Sequence, residues 1–122
     1  MFYPKISVLM INYNHAAHLS LTIESVLSQT YQNIQFIIVD DGSTDCSGAI
    51  IKDYASRDPR IEYYFLEKNQ HICHATNFGF QKVTGEYLAR IDSDDLWYPN
   101  KLQKQLDSVS YTHLTLPTIL RV

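Results

Sequence analysis

Four short apolar runs alternate with helical patterns along this chain, and that alternation leaves few folds open. The runs are KISVLMI (5–11), IQFIIVD (34–40), IEYYFLE (61–67) and EYLARI (86–91). They are rich in β-branched and aromatic residues, and the first two are nearly continuous, as suits strands covered on both faces. Between the first pair, Leu19, Ile23, Val26 and Leu27 recur at the spacing of one helix face. Ala49, Ile50, Tyr54 and Ala55 do the same between the second pair, with Thr44 or Asp45 placed to cap that helix. A third helix is predicted from about Cys73 to Val83, stopping near Gly85 as a C-terminal cap residue. A fourth opens at Pro99 and continues through KLQKQL. The order β-α-β-α-β-α-β, closed by a helix, predicts an α/β domain: an open, mostly parallel sheet of about four strands with flanking helices and right-handed crossovers.

A chain of 122 residues suffices for one such domain and its core. The formal charge of −3 argues against nucleic-acid binding, which needs a basic footprint. No apolar stretch is long enough to span a bilayer, and the N-terminus carries no signal-peptide pattern, since Ile6 to Ile11 is too short for either. Two cysteines, Cys46 and Cys73, form no disulfide framework, so a cytoplasmic location is expected.

Ligands of open parallel sheets bind at the carboxyl ends of the strands. Three unusual segments, INYNH, VDDGSTD and IDSDDLW, directly follow strands and so converge on that edge. IDSDDLW places Asp92, Asp94 and Asp95 within four positions, where like charges repel. A D-x-D spacing on a turn can set two hard oxygen ligands around one Mg²⁺ or Mn²⁺, completed by waters and substrate phosphates. The same acids could simply cap the next helix. In VDDGSTD, Asp40 and Asp41 stand at a strand end and Gly42 permits a tight turn. A carboxylate there can accept hydrogen bonds from a uracil imide or a ribose hydroxyl, while Ser43, Thr44 and Asp45 suit turn and cap chemistry. INYNH lacks the glycines of a dinucleotide fingerprint. Its Tyr13 could stack on a base or pack at the sheet edge. His71, Cys73 and His74 are too few for structural zinc, which needs four ligands at recognisable spacings.

Together SVLMINYN, IESVLSQTYQNIQFIIVDDGSTD and TNFGFQKVTGEYLARIDSDDLWYPNKLQKQ closely resemble the family-2 glycosyltransferases, in order and in spacing, from about Lys5 to Leu106. The resemblance implies the Rossmann-like nucleotide-binding half of a GT-A fold and a nucleotide-diphosphate sugar as donor, with a UDP-sugar expected. It makes Asp41 the base-binding carboxylate, with Tyr13 beside the base. Asp94 becomes a direct Mn²⁺ or Mg²⁺ ligand and Asp92 its companion, while Asp92 or Asp95 holds the ribose or orients water on the metal. Trp97 supports the loop by packing or meets the sugar with its edge. Asn77 and Gly79 match the donor-side loop of the family, but His71 stands where many relatives have glycine and Thr76 where many have arginine, which removes a cationic contact to the donor.

The resemblance further implies transfer of the sugar to a hydroxyl of a glycan, lipid or protein acceptor with inversion of configuration, in glycan or cell-surface polysaccharide synthesis. The catalytic base, an Asp or Glu, is expected in a C-terminal half beyond this chain, so the fragment is expected to bind donor and metal without transferring sugar. Membrane association is expected only through such further segments. VSYTHLTLPTILRV (109–122) carries no acidic residue and resembles the in-frame translation of a transposase-type sequencing adaptor. Residues 1–108 are therefore expected to be the donor-binding part and 109–122 a non-native tail. Two other classes compete. A phosphorylation receiver domain needs an acidic pair after its first strand, where this chain reads NYN. A non-catalytic nucleotide-binding or interaction module of the same fold lacks only the base.

Overall fold

The structure, a computed structural model, describes residues 3–69, 72–111 and 119–121. Strands β1 (Ile6–Asn12), β2 (Ile34–Asp40), β3 (Ile61–Phe65) and β4 (Tyr87–Asp92) alternate with helices α1 (Ala16–Leu27), α2 (Ser47–Arg57) and α3 (Ile72–Phe80). Helix α4 (Lys101–Tyr111) and strand β5 (Ile119–Arg121) follow. The sheet order is β3-β2-β1-β4-β5, with β1 to β4 parallel and β5 antiparallel at the edge. The α/β fold with four parallel strands is thus as the alternation predicts. Two features were not expected: α4 runs three residues past Ser108, and β5 adds a fifth strand through three register pairs with β4.

The strands sort their side chains by the two-residue period of a sheet. Ile6, Val8 and Met10 face one layer, with Leu19, Ile23 and Val26 of α1, Ile51 of α2, and Leu102 and Leu106 of α4. Leu9 faces the other layer, with Ile37, Val39 and Ala75 of α3. The chain winds outward from β1 to β3 and then returns across β1 to β4. A right-handed crossover in the reverse direction puts its helix on the opposite face, which is where α3 lies. The reversal makes the boundary between β1 and β4 the switch point, where such sheets open a crevice.

Some details depart from the predicted pattern. On α2 the buried residues are Ser47 and Ile51, with Ile50, Tyr54 and Ala55 half-buried against the core and Ala49 exposed. Helix α3 ends at Phe80, and Gly85 is no cap. Its N–H donates to Ser7 Oγ (2.9 Å), and a Cβ there would meet the Lys5 carbonyl and the Ser7 backbone at 2.7–2.8 Å. This close approach belongs to a buried polar network. Ser7 donates to Gln35 Oε1 (2.5 Å), which also accepts from the Thr84 N–H (2.9 Å). The Gln35 amide donates to the Lys82 carbonyl (2.8 Å) and to Glu62 (3.0 Å). Two polar residues inside apolar strands thereby satisfy the backbone of the α3–β4 connection, as buried polar groups require.

Candidate functional site

The three loops that follow β1, β2 and β4 meet at the carboxyl edge because their strands end in register, Asn12 opposite Asp40 and Ile11 opposite Asp92. With Asn69 and Ile72 from the β3–α3 side they form a cavity of about 490 Å³ lined also by Ile11, Tyr13, His15, Asp41, Asp92, Ser93 and Asp94. Four of the six candidate residues, Tyr13, Asp41, Asp92 and Asp94, are therefore brought together. The other two are not. Asp95 closes the turn after β4, its N–H donating to the Asp92 carbonyl (3.0 Å). Beyond that reversal its carboxylate accepts from the Leu96 N–H (3.0 Å) and faces a separate depression with Arg90 and Trp97. Asn77 is exposed on α3, because the helix turns Ala75, Thr76 and Gly79 inward. Buried there, Thr76 has a hydroxyl without a hydrogen-bond partner and offers the cavity no cation.

Adjacent acids in VDDGSTD have separate roles. Asp40 is buried and accepts three hydrogen bonds, from Asn12 Nδ2 (2.8 Å), Ser43 Oγ (2.6 Å) and the Ser43 N–H (3.0 Å). Its work is to shape the turn. Asp41, 2 % exposed, lines the cavity and is fixed through its N–H to the Asn12 carbonyl (2.8 Å). Gly42 makes this turn possible: its φ of 77° is left-handed, and a Cβ would fall 2.5 Å from the backbone of Lys68 and Asn69.

The cap position of α2 falls to Cys46, whose side chain bonds nothing there, and neither Thr44 nor Asp45 occupies it; Asp45, one residue earlier, still takes up an orphan N–H of the first turn. Its carboxylate accepts from Ser47 Oγ (2.5 Å) and the Ser47 N–H (2.9 Å) at the start of α2, and from the Ala16 N–H (3.1 Å) at the start of α1. The Ser47 hydroxyl bond, foremost, holds this carboxyl below the usual range. Asn14 repeats the theme at φ 56°, its Oδ1 accepting from the N–H groups of Thr44 (2.8 Å) and Asp45 (3.3 Å). The β1 and β2 loops are thus tied to each other by side-chain hydrogen bonds.

Tyr13 lines the cavity and is 42 % exposed, so it is not packed away at the sheet edge. Trp97 packs in the core with Leu102 and Leu106, as expected of a supporting residue. Sequence reasoning did not assign His15, Ser93 or Asn69 to the site. His15 Nδ1 and Ser93 Oγ share a hydrogen bond of 2.6 Å that joins the β1 loop to the D-x-D turn. Nothing in the local pattern reveals a contact spanning so much of the chain. Cys73 and His74 are exposed on α3, and His71 lies outside the described residues.

Asp92 and Asp94 are exposed into the cavity as hard oxygen donors with Asp41 beside them. Among the described residues no three His, Cys, Asp or Glu side chains gather into a complete metal-binding group. Two carboxylates with open positions fit Mg²⁺ or Mn²⁺, which keep waters and take substrate phosphates as ligands. A closed zinc site needs more ligands than this.

The chain matches the model of glycosyl transferase family 2 over residues 7–120. It is 42 % identical over 113 residues to an uncharacterized glycosyltransferase of Haemophilus influenzae, covering 93 % of this chain and 45 % of that protein. It is 39 % identical over 104 residues to TuaG of Bacillus subtilis, whose name assigns it to teichuronic acid biosynthesis, covering 85 % and 41 %. The chain thus spans less than half of these curated relatives. Among solved structures, it superposes on the mannosyltransferase PcManGT of Pyrobaculum calidifontis, in complex with GDP-Man and Mn²⁺, with a TM-score of 0.81 at 23 % identity, covering 86 % of this chain and 32 % of the other. The S. aureus TarS fragment in complex with UDP-GlcNAc gives 0.79 at 24 %, covering 84 % and 30 %. These two show a shared GT-A fold. With residues 7–120 of its 122 matched by the family model, the chain belongs to glycosyltransferase family 2.

Proposed function

We propose that this chain is the donor-binding part of a glycosyltransferase that moves a hexosyl group from a nucleotide-diphosphate sugar, a UDP-sugar in the first instance, to an acceptor hydroxyl with inversion. The observation that carries this reading is the convergence of Tyr13, Asp41, Asp92 and Asp94 on one cavity from three strand ends. Tyr13 stacks on the base, and Asp41 accepts a hydrogen bond from the base imide or a ribose hydroxyl. Asp92 and Asp94 hold the divalent ion. When bound, that ion supplies Lewis-acid stabilisation of the charge that develops on the departing nucleoside diphosphate. Asp95 and Asn77, set apart from the cavity, have no direct part in this assignment.

The acceptor hydroxyl needs a carboxylate to remove its proton, and none of the residues above is left for that task. We assign it to a further part of a longer protein, in keeping with the relatives' greater length. TuaG's name supports a role in cell-surface polysaccharide synthesis. Two exposed cysteines without a disulfide support a cytoplasmic location. Among the described residues no helix is long and apolar enough to cross a membrane.

Calorimetric titration with UDP and with GDP in the presence of Mn²⁺ tests the assignment. Saturable binding is expected, with UDP preferred; incubated with a UDP-sugar and an acceptor, the chain should transfer no sugar. Asp41→Asn should weaken UDP by about 10–100-fold, the cost of one charge-assisted hydrogen bond. Absence of nucleotide binding would sink the proposal, and turnover by the 122-residue chain would sink its division of labour.

We also propose that residues 109–122 are adaptor-derived, on the wording of that segment and against the family match, which runs on to residue 120. Sequencing the source DNA across the Ser108 codon should find adaptor bases from there onward; genomic codons would refute this.

A further inference from the structure

Three polar residues spaced seven apart, His15, Thr22 and Gln29, mark α1 and its two flanks. Seven residues are nearly two helical turns, so the three form a stripe. The stripe runs along the segment that carries the acids. At one end His15 Nδ1 bonds Ser93 Oγ (2.6 Å). In the middle the fully buried Thr22 hydroxyl lies 2.9 Å from the Ser93 carbonyl, 2.7 Å from the Asp95 carbonyl and 3.2 Å from the His18 carbonyl. At the other end Gln29, also buried, donates to the Tyr98 carbonyl (2.6 Å) and accepts from the Leu102 N–H (3.0 Å). The neighbouring Thr30 N–H donates to the Pro99 carbonyl (2.8 Å).

An ordinary core helix would present only apolar residues to this segment. Here Thr22 meets the backbone of the turn that carries Asp92 and Asp94, His15 meets the side chain of Ser93 between them, and Gln29 holds the backbone further along; Ser93 is drawn inward to 2 % exposure. With residue 93 tied down, its two neighbours are left directed into the cavity. The hydroxyl has one proton to give, and donating it to the Asp95 or Ser93 carbonyl ties the turn to α1 without competing for the carboxylates.

We propose that His15 and Thr22 are positioning residues, which set the separation of the Asp92 and Asp94 carboxylates and so tune divalent-ion affinity, with Gln29 anchoring the far end. The inference rests on the reading of those acids as metal ligands. Outer partners of metal ligands typically contribute 10–100-fold to affinity. Neither residue touches the ion in this assignment, so the effect must pass through the turn.

The test is Mn²⁺ binding by the full chain with UDP present, followed through the electron paramagnetic resonance signal of free Mn²⁺, with uridine affinity and the urea midpoint measured alongside. Thr22→Val keeps the shape and removes the hydroxyl; it should weaken Mn²⁺ about tenfold and leave uridine affinity within about twofold. Thr22→Ser should restore wild-type metal affinity, which a merely steric role would not predict. His15→Ala, at an exposed position, should weaken Mn²⁺ by a similar factor and decides the matter if Thr22→Val does not fold. Wild-type affinity in both variants, with Asp94→Ala binding no Mn²⁺, overturns this inference alone. Wild-type affinity in Asp94→Ala, or no Mn²⁺ bound by the wild type, overturns the metal-site reading and this inference with it.

Discussion

Replacing Asp40 by alanine is expected to lower the unfolding free energy by about 3 kcal/mol, a far larger effect than surface acids give. Three donors converge on this carboxylate, from Asn12 and from the Ser43 hydroxyl and N–H. Hydrogen bonds to a charged group contribute about 1.5–3 kcal/mol each. Not all of that is lost. Ser43 is half-buried and can turn to water, and Asn12 keeps a longer contact to Ser43 Oγ (3.2 Å). Asn12 itself is fully buried, so beyond that longer contact its amide finds no water to replace the lost carboxylate. The turn then loses the tie between β1 and β2 at the edge where the cavity opens. Urea denaturation at neutral pH measures the change, and a loss below about 1 kcal/mol would show that the turn holds itself without this carboxylate. The Asp41→Asn variant reads out differently, through nucleotide affinity. Two neighbouring acids of the same type are distinguished by what their strand-end geometry presents to each.

Most of the fold was legible because it rests on periodicity. Continuous apolar runs gave β1 and β2 as buried parallel strands, and the 3.6-residue spacing of Leu19, Ile23 and Val26 gave the buried face of α1. Where local preference and tertiary contact diverged, tertiary contact won. Gly85 reads as a helix stop by preference, yet it is required where the chain presses against the β1 backbone. Ala49 and Ile51 are both apolar, and only packing against the sheet picks Ile51. The acids of the site were legible as residue types at strand ends. Which ones share the cavity was not, since a turn closing on Asp95 redirects its side chain and no spacing rule encodes that reversal. His15, Thr22 and Ser93 were invisible for a related reason. Each looks like an ordinary loop or helix residue until the register of β1 against β4 brings α1 beside the D-x-D turn.

Chelating the divalent ion is expected to weaken UDP binding by about 100-fold, some 2.7 kcal/mol, while uridine binding stays within about twofold. The lining of the cavity supplies the reason. It carries the carboxylates of Asp41, Asp92 and Asp94 and, among the described residues, no lysine or arginine. Two unit charges 4 Å apart interact by about 1 kcal/mol in water and about 4 kcal/mol near a protein surface. A diphosphate brought against Asp92 and Asp94 without a cation therefore meets net repulsion of the magnitude stated, whereas uridine brings no charge. Asp94→Ala then makes a crossing prediction. With Mn²⁺ present the variant should bind UDP more weakly than wild type, because a ligand to the ion is gone. In chelator it should bind UDP more tightly than wild type, because one repelling carboxylate is gone. Titration calorimetry under the two conditions measures both signs. A variant that weakens UDP equally with and without metal would mean that Asp94 acts as a simple hydrogen-bond acceptor, and the D-x-D pair would lose its assignment as the seat of the ion.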